Sequence, residues 1–187
     1  MCVVIRADGT EAPRGAQALS VSGTQIFARG LDDGSQFVVY SMTIAAAGEL
    51  ALVLPIPVAL GGAEDAVQFI ALDEYRGFFA DPHGHFQHPS EMRMPDHIVA
   101  SASVGMLEVH EVGDYIASYV PSYADWHRVH PQFRLPPHVR DALPQYETYG
   151  FVVSQLRTGV QPKPHDYHPM AFSFPRRATD VLFFPTV

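Results

Sequence analysis

Residues 37–58 read FVVYSMTIAAAGELALVLPIPV, two long apolar runs joined by a short Ala-Gly-Glu link. β-Branched and aromatic side chains dominate the first run, 37–46, through Phe37, Val38, Val39, Tyr40, Thr43 and Ile44. Those residue types fit a pleated, packed surface. The second run, 50–58, is apolar at nearly every position, the pattern of a strand buried on both faces. Together they predict a central β-hairpin.

Working outward, the chain divides into short elements. Residues 1–6 (MCVVIR) read as a strand, closed by the Asp8-Gly9 turn. Residues 17–21 and 24–29 are two short strands around Gly23, and 67–72 is another. Asp73 is placed to cap a short helix, because its carboxylate can accept from the free amides of a first turn. Residues 106–112 and 115–120 form a second hairpin over Gly113-Asp114. Ser122 caps a short helix over 123–129, and Pro137 opens another reaching Leu143. Residues 151–156, 170–174 and 181–184 complete the strands. Residues 81–100 break the pattern, with three Pro besides His83, His85, His88 and His97, and are expected to be a mobile surface loop. The expected architecture is a single α+β domain over 1–187, mostly antiparallel β-sheet with a few short helices.

Composition sets the boundaries. With 47% hydrophobic and 17% charged residues, the chain of 187 packs a core without staples. The net charge of −8, with no basic cluster beyond Arg176-Arg177, excludes the phosphate-tracking surface of a nucleic-acid binder and a membrane-surface protein. The longest apolar run, 50–60, is too short to span a bilayer and contains Pro55 and Pro57. The start lacks the basic, apolar and cleavage regions of a signal peptide, and one cysteine allows no internal disulfide. A cytoplasmic location is the expectation. No phosphate loop, dinucleotide-binding glycine pattern, G-x-S-x-G elbow or H-E-x-x-H pair is present.

Three blocks carry a resemblance: VLPIPV at 53–58, LPPHVRDALPQYETYGFVVSQLR at 135–157, and HPMAFSFPRR with LFFPTV in 168–187. The chain resembles a family of uncharacterised bacterial proteins, a domain of unknown function that pairs a VLPxP strand with a later Pro-Pro, Tyr, Gly and strand block. The resemblance implies one coherent domain and brings no activity with it.

Several residues are placed for chemistry. If Met1 is removed, Cys2 carries a thiol and an α-amine on one residue, so the amine can act as base for the nucleophile. CVVIRADG is similar to the opening of the cysteine amide hydrolases with N-terminal nucleophiles, although their Arg and Asn/Asp partners have no counterpart here. Alternatively Cys2 is a metal ligand, or a small hydrophobe at the head of a strand. His83 and His85 point to one side of an extended segment, with Asp81 nearby to supply oxygen. His168 precedes a strand, and His110 lies on one, sharing a face with Met106, Glu108 and Val112. Sites converge from separate strands, which makes the two histidines candidates together. The aromatic middle, Tyr115, Tyr119, Tyr123, Trp126, Tyr146 and Tyr149, reads as core packing.

The leading expectation is a transition-metal protein with Cys2, His110, His168, His83 and His85 as ligands. A Cys/His set suits copper or zinc, and His with Asp leaves zinc, nickel or iron open. Its partner would be a metal ion or a small molecule. The alternatives are a cofactor-free cysteine amidohydrolase using Cys2, and a non-catalytic binding or assembly domain.

Overall fold

The computed structural model describes residues 3–6, 20–45, 50–59, 61–81, 99–100, 105–133, 144–156 and 165–185. Eleven strands occur among them: β1 (Val3–Arg6), β2 (Ser20–Gly30), β3 (Ser35–Ala45), β4 (Leu50–Ile56), β5 (Gln68–Ile70), β6 (Val99–Ala100), β7 (Val109–Val112), β8 (Tyr115–Val120), β9 (Gly150–Leu156), β10 (His165–Asp166) and β11 (Met170–Pro175). One sheet runs β1-β4-β9-β8-β7-β6. The other runs β10-β3-β11-β5, with β2 on the far side of β3. Every pairing is antiparallel.

The expected central hairpin is not formed, because its two strands belong to different sheets. β3 pairs with β2, β10 and β11, and β4 pairs with β1 and β9. The reason lies in the runs themselves. Each is apolar on both faces, so each is stable only as an interior strand covered on both sides. Two interior strands facing one another across a core satisfy this better than one two-stranded ribbon.

Alternation sorts the side chains into three cores. Val38, Tyr40 and Met42 of β3 meet Leu50, Leu52 and Leu54 of β4 between the sheets. The opposite face of β3, with Phe37 and Val39, packs on Ile70, Leu72 and Phe78. The outer face of the other sheet presents Val53, Val120, Phe151 and Val153 to Val129 and Phe133. Each such side chain contributes about 1.5–3 kcal/mol by leaving water.

Helix content is lower than expected. Among the described residues there is no α-helix, only short 3-10 turns at Asp73–Tyr75, Tyr123–Arg128, Pro131–Phe133 and Pro144–Tyr146. Asp73 sits inside its turn rather than capping it. Ser122 does precede a helical segment, but its hydroxyl bonds the Asp125 carboxylate at 2.6 Å and caps no amide. Each segment is too short to build an amphipathic α-helical face. The expected helix after Pro137 lies outside the described residues, as does the expected loop apart from Asp81 and the strand β6.

Two irregularities shape the second sheet. The β2–β3 register shifts between Ser22 and Gln25, where Gly23 has φ +61°. The two expected strands around Gly23 are therefore one strand with a bulge. On the other side of β3, β10 aligns Asp166 with Thr43 and β11 aligns Met170 with Tyr40. Tyr167, His168 and Pro169 thus face only Ser41 and Met42. β10 and β11 are one strand interrupted by a second bulge, the setting in which a proline inside a sheet is tolerated.

Residues 181–184, expected as a strand, are not one and pair with no strand among the described residues. A side chain holds them instead. Gln36, fully buried, donates from Nε2 to the Phe183 carbonyl at 2.6 Å and accepts the Phe183 N–H at 2.9 Å. One amide side chain thereby reproduces both bonds of a sheet ladder.

Candidate functional site

The second bulge is where the structure places His168. Its ring is 1% exposed. The backbone N–H of Asp114, at the tip of the β7–β8 hairpin, donates to Nε2 at 2.8 Å. Nε2 is therefore an acceptor, and the ring proton sits on Nδ1, which donates to the Pro169 carbonyl at 2.9 Å. The phenol of Tyr115 donates to the backbone carbonyl of His168, and the two rings meet edge to face with centroids 4.7 Å apart. Tyr167 lies beside Tyr115 at 5.7 Å. The cluster joins the two sheets at one end of the sandwich.

The hairpin tip is shaped for this contact. Gly113 has φ +57°, and among the described residues no non-glycine has positive φ. Glycine alone at positive φ in the first position of a two-residue loop is the pattern of a type II′ turn. A Cβ on Gly113 would lie 2.2 Å from His168 Nε2 and 3.0 Å from the Asp73 Cβ. The turn thus approaches the imidazole more closely than any side chain permits. The Asp114 carboxylate faces outward and bonds Arg76 at 2.9 Å, a half-exposed pair worth little by itself.

Burial controls the titration of the phenols. It raises the Tyr115 phenol far above its usual range, and the negative charge of Asp114 adds to the effect. Burial, again with Asp114, pushes Tyr167 up to about 12. Tyr119 is also pushed up to about 12, first by burial and then by the charge of Asp125. An unfolded tyrosine ionises near pH 10. Between about pH 10 and 12 the unfolded chain therefore releases protons that the folded chain retains. Stability is fully present below pH 10 and falls as pH rises through that window. In an ultraviolet titration, Tyr115, Tyr119 and Tyr167, of eight tyrosines, should stay largely un-ionised at pH 10.5 while the protein is folded. Normal ionisation of all eight in a protein still folded at pH 10.5 would overturn this.

Of the other sequence candidates, only His110 lies among the described residues. His110 lies on β7 as expected, with Val112 facing the inter-sheet core and Leu107 and Val109 facing the other way. Its ring packs at 5.1 Å from Phe69, and Nε2 stands 3.9 Å from a Glu108 carboxylate oxygen. Among the described residues no group of three or more His, Cys, Asp or Glu side chains could hold a metal ion, so His110 and His168 do not form such a centre there. Cys2, His83 and His85 lie outside the described residues. The aromatic residues of the middle are built into the packing: Tyr115 and Tyr119 enter the inter-sheet core, and Tyr123, Trp126 and Tyr146 cover the outer face around Phe151. Tyr119 Oη and Trp126 Nε1 are buried without a hydrogen-bond partner among the described residues.

Sequence reasoning missed Asp114, Tyr115 and Gly113 as partners of His168. The Gly-Asp turn was legible, but nothing local indicates which bulge it lands on.

Three of the exposed large apolar side chains among the described residues fall in one short segment. Val181, Leu182 and Phe184 are 57%, 42% and 46% exposed. The segment carrying them is fixed by Gln36 at Phe183 and by Arg176, whose guanidinium donates to the Thr179 carbonyl at 2.7 Å. Arg177 donates to the carbonyls of Val58 and Thr148 and stands 5.1 Å from the centre of the Tyr149 ring.

These features define an antiparallel β-sandwich with a buried His–Tyr cross-brace at one end. No family model, curated protein or solved structure matches the chain. Among the described residues no helix is long and apolar enough to cross a membrane.

Proposed function

We propose that this chain is a non-catalytic assembly module, a β-sandwich that associates with a second copy of itself through the strip of Val181, Leu182 and Phe184. The observation that carries the reading is the fixing of that strip. A fully buried glutamine side chain holds its backbone while three large apolar side chains point to solvent. The backbone ordering of the segment at Phe183 is already met in the free chain, which favours association. The chain carries a net charge of −8, which Arg176 and Arg177 beside the strip offset locally. His168 fits the same reading, since both of its ring nitrogens serve contacts within the fold.

The test is light scattering after size exclusion on tag-free protein at tens of micromolar. A dimer that becomes a monomer in the double variant Leu182→Ser/Phe184→Ser, with far-UV circular dichroism unchanged, is the expected result. A wild-type monomer at every concentration sinks the proposal. Native and denatured masses of the same sample test the rival readings. A native excess of one transition-metal ion, abolished by Cys2→Ala or by His83→Ala/His85→Ala, would assign the function to that ligand set. A chain lacking Met1 whose Cys2 reacts selectively with thiol probes would favour the amidohydrolase.

A further inference from the structure

We draw no further inference here: the strongest candidate, the outer edge of β2 with its exposed Ser20–Gln25 stretch around the Gly23 bulge, carries nothing because nothing in the structure shows what covers it.

Discussion

Alanine at Gly113 is expected to cost about 3 kcal/mol or more, a large share of the roughly 5–15 kcal/mol that holds an ordinary domain folded. Two independent penalties meet at this position. The backbone holds φ +57°, which a residue with a Cβ adopts only at a cost of about 1–3 kcal/mol. The new methyl would also lie 2.2 Å from His168 Nε2, well inside contact distance. The imidazole cannot retreat, because it is 1% exposed and bonded on both nitrogens. Relief requires lifting the hairpin tip, which breaks the Asp114 bond. Urea unfolding of Gly113→Ala should show a midpoint far below wild type. Gly61 makes the control: its φ is +71°, and a Cβ there meets nothing within 4 Å. Gly61→Ala bears only the backbone penalty, so equal losses at the two sites would refute the contact argument.

The second large effect is expected at His168. Alanine removes a ring from a site with no access to water and leaves the Asp114 N–H and the Pro169 carbonyl without partners. An unsatisfied buried group costs about 1–3 kcal/mol, and the vacated volume adds to this. We expect a loss of about 4 kcal/mol, or a fall in Tm of about 12 °C for a chain of this size. Glutamine is the informative replacement. Its side-chain carbonyl can reach the position of Nε2 and accept from Asp114, so His168→Gln should recover part of the loss. If both variants melt within a degree or two of wild type, the cross-brace is not a stabilising element. Tyr115→Phe removes only the phenol bond to the His168 carbonyl and should cost about 1 kcal/mol.

The sequence revealed local features more readily than distant ones. Period-two patterning located β3, β4, β8 and β9 to within a residue or two, because alternation and apolar runs are properties of a strand itself. The Gly113-Asp114 turn was legible for the same reason, since its chemistry is local. Partnership was not legible. Residues 37–46 and 50–58 look like neighbours, yet β3 pairs with β11, a segment more than a hundred residues later. An apolar run shows that both faces are buried and is silent on which strand covers its edge. The sequence places His168 just before a strand. Its hydrogen bonds depend on a hairpin from the other sheet reaching a bulge, which no spacing encodes. Residues 181–184 misled because a strand-like composition is held there by the side chains of Gln36 and Arg176 rather than by a neighbouring strand. The segment after Ser122 is a 3-10 turn for a nearby reason: Pro121 and Pro131 bracket it before a full apolar stripe can form.

The sheet order also has a consequence for the nascent chain. β3 and β4 are complete before residue 60, but their partners β9 and β11 begin at residues 150 and 170. At about 5–20 residues per second, the ribosome exposes two of the most apolar strands roughly ten seconds before those partners emerge. During that interval β4 can pair only with β1, and β3 only with β2, leaving one edge of each open. A growing chain of this kind is vulnerable to aggregation and is a natural client for holding chaperones, although the finished sandwich encloses both strands.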